Sequence, residues 1–219
     1  MNLKNKRINE INKQKEKRKE DILVAAIEVF KEKSIRSAKM TDIALESEVG
    51  VATVYRYFKT KLDLVTEAVN WMCKEEIQLM FEPFEGDDYK RMTGFEQVSY
   101  ILKLFILLYE AYPDFLTLLE QFDNYVVEEQ IGLEQLENYE KNIIDLKEIA
   151  FDAIERGKKD GSIKTDIDNN IFYTTITHSL MSLSQKLILR GNILKSDGEV
   201  EGKNQLVILI EMAQGYIKN

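Results

Sequence analysis

Residue types that form many structural and catalytic sites are almost absent from this chain of 219 residues, which has one cysteine, one histidine and two prolines. The single cysteine, Cys73, excludes a disulfide within the chain and a cysteine metal cluster. The single histidine, His178, excludes a site with several histidine ligands. The scarcity of proline and the absence of alternating, strand-like runs favour long helices. The sequence therefore predicts an all-α protein.

Motifs for catalysis are absent as well. The chain has neither a Gly-x-Ser-x-Gly motif nor a glycine-rich phosphate loop, and it has no Glu-x-x-His pair of the kind that binds iron in helical bundles. Its many carboxylates occupy positions typical of exposed helix faces. We therefore expect no enzyme activity, no metal and no cofactor.

Long apolar runs are also absent. None approaches the roughly 20 residues that a membrane-spanning helix requires, and the longest, residues 104–109, fits a buried helix face. The basic N-terminus lacks the apolar segment of a secretory signal. We therefore expect a cytoplasmic protein without a membrane segment.

The charge is divided unevenly along the chain, whose net charge is −8. Residues 1–62 hold 15 Lys/Arg and 9 Asp/Glu, whereas residues 63–219 hold 15 and 29. A basic segment joined to an acidic body confines attraction for nucleic acid to one end of the molecule. Lysines that only increase solubility give the same composition, so the charge alone leaves the function open.

A short helix with two unlike faces is predicted at Val49–Phe58. Val51, Val54 and Phe58 recur at helical spacing and suit a small core. A second short helix at 41–46 precedes it across a tight turn, an arrangement typical of a DNA-binding helix-turn-helix. Any amphipathic helix hairpin gives a similar pattern, so binding of a protein partner is the alternative. The other face of the helix at Val49–Phe58 carries groups that suit phosphate oxygens and base edges, namely Thr53, Tyr55, Arg56 and Tyr57.

An ordered set of residues extends this pattern across about a quarter of the chain. The set comprises Ile22, Leu23, Ala25, Ala26, Val29, Phe30, Ile43, Ala44, Val49, Thr53, Val54, Tyr55, Tyr57, Phe58, Lys61 and Leu64. In this order and spacing, residues 18–70 resemble the N-terminal domain of TetR-family transcriptional regulators.

Four positions depart from the pattern of that family. The glycines that usually follow the first helix and occupy the turn are Ser34 and Glu48 here. A left-handed turn costs a residue other than glycine roughly 1 kcal/mol. The usual capping serine of the recognition helix is Gly50, a weaker cap, and Lys39 replaces a threonine near the start of the second helix.

The resemblance implies an all-α protein with an N-terminal three-helix domain and a larger C-terminal helical domain for ligand binding and dimerisation. We expect a basic, flexible arm at 1–17, which is either frayed or an extension of the first helix. Its cations either contact the DNA backbone or form a solvated tail. The DNA-binding domain is expected at 18–62 and the effector-binding and dimerisation domain at 63–219. Helices are expected at about 18–33, 41–46, 51–58, 60–81, 93–111, 114–129, 133–157, 168–190 and 202–216, with loops at 82–92 and 191–201.

Matching positions also assign the DNA contacts that the resemblance implies. The partners are a palindromic double-stranded operator, an unidentified small-molecule effector, and a second copy bound through the last two helices. The implied function is that of a homodimeric repressor released by the effector. Base edges are assigned to Thr41, Gly50, Val51, Ala52 and Thr53, and phosphates to Lys39, Tyr55, Arg56, Tyr57 and Lys61, with Arg56 also suited to guanine.

Aromatic residues of the body are candidates for an effector pocket. Most aromatic groups at such spacing are plain core, and we favour a satisfied buried or interface position for the histidine. The candidates are Trp71, Phe105, Tyr109, Phe122, Tyr125, Tyr139, Phe172 and His178.

Overall fold

Helices form nearly all of the chain that the computed structural model describes, which is residues 3–77, 80, 82–191, 193 and 195–219. Side chains are described for these residues except 3, 4, 76, 77, 135, 138–145 and 196. No β-strand occurs in these ranges, which confirms the all-α prediction. The helices are α1 (Leu3–Ser37), α2 (Met40–Glu46), α3 (Val51–Tyr57), α4 (Lys61–Met72), α5 (Asp87–Arg91), α6 (Gly94–Ala111), α7 (Pro113–Glu128), α8 (Leu133–Asp160), α9 (Asn169–Arg190) and α10 (Gly202–Ile217).

The chain divides into two compact units. The first comprises Met1–Lys74 and Gln121–Leu136, and the second comprises Glu75–Glu120 and Glu137–Asn219. The first unit is therefore larger than the domain expected at 18–62, because it contains α4 and the end of α7. None of the helices in the described part of the chain has the length and apolarity that a bilayer crossing requires.

The core of the first unit is built from one face of each of its helices. α1 packs against α2 and α4, and α2 packs against α3. Apolar residues three and four positions apart place one stripe of each helix in this core. Its fully buried members include Ile22, Ala26, Phe30, Ile43, Val54, Leu64 and Ala68.

Residues 3–17 are part of α1, so the described part of the arm extends the first helix, as the sequence analysis allowed; its flexibility stays a prediction. Every side chain from 5 to 18 is exposed, so no tertiary packing holds this part of the helix. Residues 3–17 contain five lysines and one arginine, residue types that favour helix without packing. At the other end of α1, Ser34 has φ 65° and ψ 156°, and this non-helical residue kinks the helix.

The second unit is organised around α6, which packs against α9 and α10. The expectation of a central, apolar helix there is confirmed, because Val98, Ile101, Leu102 and Phe105 are all buried. Three boundaries differ from the sequence expectations. The α-helical part of the fourth helix ends at Met72, and a π-helical turn follows at Cys73–Ile77. The segment expected as a loop at 82–92 contains a 3-10 turn at Glu82–Glu85 and α5. The segment expected as a loop at 191–201 contains a 3-10 turn at Lys195–Glu199.

The sequence placed the end of α8 at Gly157 and Gly161, and the helix continues through Gly157 to Asp160. The terminator is Gly161, whose φ of 81° is left-handed. Gly94 allows the start of α6 to approach α8, because a Cβ at Gly94 would overlap the backbone of Gly157 and the carbonyl oxygen of Ala153, whereas a Cβ at Gly157 would overlap the side chain of Ile163. The Gly94 amide also donates to Asp160 Oδ2 at 2.8 Å.

Gly94→Ala is expected to lower the free energy of unfolding by about 2 kcal/mol or more, because the added methyl group forces α6 away from α8. Gly215→Ala in α10 is the matched control, since nothing lies within 4 Å of its Cβ position. It should raise stability by about 0.5–1 kcal/mol through helix propensity. Urea unfolding followed by circular dichroism measures both, and equal effects of the two changes would contradict the close approach.

Candidate nucleic-acid interface

The interface begins with α2, whose first turn is fixed by polar contacts. The Lys39 amide donates to Asp42 Oδ2 at 2.9 Å, and Lys33 Nζ lies 2.9 Å from Asp42 Oδ1. The Lys33 ammonium and the Lys39 amide hold the pKa of the Asp42 carboxyl below its usual value. A carboxylate at this position also suits the positive end of the helix dipole. α2 therefore has a defined start despite lacking the threonine usual in the family.

The turn between α2 and α3 is a Schellman motif with Glu48 in the position that glycine usually occupies. Glu48 has φ 52°, its amide donates to Leu45 O at 3.2 Å, and the Val49 amide donates to Ala44 O at 3.0 Å. The turn is thus left-handed, and a glutamate adopts the conformation that glycine usually supplies. Gly50, which caps α3, has an ordinary φ of −69°.

α3 is anchored by two of the three apolar residues that the sequence assigned to its core. Val54 is fully buried and Phe58, which ends the helix, is 1% exposed. Val51 is 36% exposed, so its assignment to the core is wrong. Val54 and Phe58 lie four residues apart on one face, whereas Val51 occupies the first position of the helix and is left outside the core.

None of the ten residues assigned to DNA is buried. Tyr55 is 49% exposed, and the Arg56 guanidinium lies 5.6 Å from the ring centroid of Tyr57. The structure adds Lys59, an exposed cation directly after α3 that the sequence reasoning missed although it adjoins the matching pair Tyr57 and Phe58. Of the ten assigned residues, the half-buried ones are Thr53, Tyr57 and Lys61, and the exposed ones are Lys39, Thr41, Gly50, Val51, Ala52, Tyr55 and Arg56.

Lys61 is the candidate whose surroundings differ most from expectation. Its ammonium donates to the backbone oxygen of Arg36 at 3.0 Å and lies 5.4 Å from the ring centroid of Tyr125. Burial lowers the pKa of Lys61, and Glu129 opposes this effect. The side chain thus caps the end of α1, where a cation suits the carbonyl groups. Its assignment to a phosphate stays a prediction.

The end of α7 makes further polar contacts with α1 inside the first unit. The Ile35 amide, next to the kink at Ser34, donates to Gln121 Oε1 at 2.8 Å. Arg36 Nη1 lies 3.2 Å from Glu128 Oε1. The partners are 86 and 92 residues apart in sequence. No local pattern could have indicated these contacts.

The residues proposed for an effector pocket are divided between the units. Trp71, Phe122 and Tyr125 belong to the first unit, where Phe122 and Tyr125 are buried and Trp71 is half-buried. Tyr139 lies outside the residues whose side chains are described. The members in the second unit are Phe105, Tyr109, Phe172 and His178.

In the second unit, Phe105 and Phe172 are core residues, and Tyr109 is half-buried. His178 is exposed in the single chain, so its expected burial is wrong there, and an interface position stays a prediction. Two open surface clefts of about 330 and 340 Å³ lie in this unit. Both are lined by residues other than the candidates. The first includes Ser182, Gln185 and Arg190, and the second includes Phe84, Tyr89 and Arg156.

The fold and this interface define a helix-turn-helix regulator. Residues 22–68 match the sequence model described as bacterial regulatory proteins, tetR family. For this segment, the match confirms the resemblance to TetR-family regulators seen in the sequence. The match covers the segment that holds the turn at Glu48 and the exposed face of α3.

Two curated regulators and a solved structure extend the comparison. The HTH-type transcriptional regulator LuxR of Vibrio harveyi is 35% identical over 75 residues, which are 34% of this chain and 37% of that protein. The fatty acid metabolism regulator protein of Bacillus subtilis (strain 168) is 31% identical over 97 residues, 44% of this chain and 48% of that protein. The matches therefore span less than half the length of these relatives.

The solved structure is the transcriptional regulator FadR of Bacillus subtilis in complex with stearoyl-CoA. Its TM-score is 0.63 at 20% identity, over 88% of this chain and 96% of that chain. At this identity the likeness shows a shared fold across both units of the chain. All three proteins are regulators rather than enzymes, in agreement with the missing catalytic motifs.

Glu48→Gly is expected to stabilise the first unit by about 1 kcal/mol, because glycine adopts the left-handed conformation without strain. Glu46→Gly removes the same charge as the matched control and should bring no gain in stability, since Glu46, the last residue of α2, has a helical backbone in which glycine is less favourable. Trp71, the only tryptophan, belongs to the same unit, so its fluorescence during urea unfolding reports the effect. A loss of stability in Glu48→Gly would show that the turn gains nothing from glycine.

Proposed function

We propose that this protein is a sequence-specific transcriptional regulator, a homodimeric repressor that a small-molecule effector releases from a palindromic operator. One observation carries the proposal. α3 is anchored by buried Val54 and Phe58 and exposes a polar and aromatic face, inside the segment that matches the TetR family. Its seven residues span about 10 Å, a length that fits one major groove.

The exposed face of the helix-turn-helix supports a division of DNA contacts. The start of α3 and Thr41 of α2 suit base edges, because small side chains there allow close approach. The larger groups suit phosphates and set the register of the helix on the duplex. We assign base edges to Thr41, Gly50, Val51, Ala52 and Thr53, and phosphates to Lys39, Tyr55, Arg56, Tyr57 and Lys61, to which we add Lys59.

The proposal assigns different binding functions to two regions of the chain. Residues 18–62 bind DNA and residues 63–219 bind the effector and a second copy. An effector that favours one conformation of the body changes α4, and through it the spacing of the two recognition helices. The contacts of Lys61 and Arg36 with α7 support α4 and α1 as the route, because they fix both helix ends by groups outside the helix-turn-helix.

Apolar side chains on the last two helices support the homodimer. Ile208, Met212 and Tyr216 lie four residues apart on one face of α10 and are 56%, 68% and 62% exposed. On α9, Ile171 and Leu189 are 67% and 49% exposed. A second copy that presents the same faces would cover them in an isologous four-helix contact.

The effector class is tested first with long-chain acyl-CoA molecules. The FadR structure contains stearoyl-CoA, and the fatty acid metabolism regulator is among the curated relatives. Release of operator DNA by stearoyl-CoA, but not by free coenzyme A, would assign an acyl-CoA effector. The operator of a bacterial regulator lies in the cytoplasm, and there we place the protein.

Selection of bound duplexes from a random DNA pool, at near-physiological salt with the purified chain, tests the proposal. Enrichment of a two-fold symmetric site is the expected result, because a homodimer presents two recognition helices related by two-fold symmetry. If no sequence is enriched and all binding disappears as salt rises, the proposal fails. The alternative, a helical module that binds a protein partner without reading DNA sequence, would then account for the exposed face of α3.

Tyr55→Ala is expected to weaken operator binding about 10- to 100-fold, because a hydrogen bond to a charged phosphate contributes about 1.5–3 kcal/mol. Tyr55→Phe separates the hydroxyl group from the ring, and a loss equal to that of alanine assigns the effect to the hydroxyl. Tyr112→Ala in the second unit is the control. Fluorescence anisotropy with the selected operator measures all three, and unchanged affinity of Tyr55→Ala would remove Tyr55 from the interface.

Met212→Asp is expected to convert the dimer to a monomer and to abolish tight operator binding, because a charge would be buried in the apolar contact. Val127→Asp introduces the same charge at a side chain that is 77% exposed in the first unit, and it should leave the dimer intact. Light scattering after size-exclusion chromatography gives the two masses. A dimeric Met212→Asp variant would place the subunit contact elsewhere.

A further inference from the structure

We propose that the N-terminal extension of α1, residues 5–18, is a second DNA-binding surface that contacts phosphates next to the recognition helix. The inference rests on the proposed function and adds a surface outside the segment that matches the family, which begins at residue 22. It commits to one partner, the phosphate backbone of double-stranded DNA.

The first support is the charge and exposure of the extension. All its side chains are exposed, so its cations are available to a partner. Lys6, Lys13 and Lys17 recur at intervals of seven and four, which places them along one face of the helix. The extension has six cations (Lys6, Arg7, Lys13, Lys15, Lys17 and Arg18) and two carboxylates (Glu10 and Glu16).

The second support is the point at which the extension leaves the first unit. Lys19 Nζ lies 5.9 Å from the ring centroid of Phe58, the residue that ends α3, and 3.1 Å from Glu67 Oε2 of α4. The extension therefore starts beside the end of the recognition helix. Its 14 residues span roughly 21 Å, which exceeds the roughly 12 Å width of a major groove. The cations can thus reach phosphates that flank the groove.

The third support is the electrostatic state of the isolated helix. α1 has no acidic residue in its first turn. Lys13 and Lys17 lie four positions apart on one face and repel each other, whereas Glu10 lies between Lys6 and Lys13 on that face. Phosphates beside Lys13 and Lys17 would relieve this repulsion.

An anionic membrane would also attract this charge, but the apolar groups of the extension are too few for it. A helix that lies in a membrane interface needs a continuous apolar face, whereas residues 5–18 contain only Ile8 and Ile11. Backbone binding to DNA needs charge alone. The observations therefore favour DNA.

The test replaces three cations of the extension in one variant, Lys13→Gln with Lys15→Gln and Lys17→Gln. Glutamine keeps the helix propensity of lysine, so the change removes charge without removing helix. The matched control is Lys90→Gln with Lys103→Gln and Lys159→Gln, which removes the same charge from exposed positions of the second unit. Dissociation constants are measured over a range of salt concentrations, on the selected operator and on an unrelated duplex of equal length.

We expect the salt dependence to weaken in the extension variant alone, on both duplexes. The slope of log affinity against log salt should fall by about 0.9 for each phosphate that the variant no longer neutralises. Slopes equal to those of the control variant would overturn the proposal and leave the extension as a solvated tail. Tighter binding to vesicles of anionic lipid than to DNA, abolished by the same three substitutions, would also overturn it.

The two hypotheses fail separately. If the unmodified chain selects no operator, the proposed regulator function fails, and the slope on the unrelated duplex still decides whether the extension binds phosphates. If an operator is selected but the two variants behave alike, only the extension is refuted.

Discussion

The burial of Val54 and Phe58 is the contact on which the candidate interface depends. α3 has seven residues, and an isolated helix of that length is not stable in water. The core formed by α1, α2 and α4 therefore holds it in place, and the same burial fixes which of its faces points outward. Tyr55 and Arg56 are exposed because Val54 and Phe58 are not. The chemistry proposed for DNA recognition thus follows from the packing of two apolar side chains.

Polar contacts at helix ends set the geometry around that anchor. Hydrogen bonds of the turn hold Glu48 in a left-handed conformation, and Asp42 fixes the start of α2. Lys61 caps α1 while facing Tyr125, so one side chain joins three helices of the first unit.

The second unit follows the same division between buried anchor and exposed face. α10 buries Leu206, Ile210 and Ala213 and exposes Ile208 and Met212 on another face. α10 therefore has two apolar faces. The buried face serves the core of the unit, and the exposed face has a role only in the proposed subunit contact. α6 reaches its position because Gly94 lets its backbone approach the backbone of α8 at Gly157. Small residues there matter as much as the large ones in the core.

Local pattern in the sequence determined the helical class and the two short helices joined by a tight turn, because each depends on residues a few positions apart. Only the tertiary structure decided that Val51 is exposed, that Gly157 lies within α8, and that residues 121–136 belong with the first unit. Those outcomes depend on contacts between residues distant in sequence, such as Ile35 with Gln121. The periodicity of apolar residues in the sequence predicts which face of a helix is apolar, whereas tertiary packing decides which neighbours cover that face.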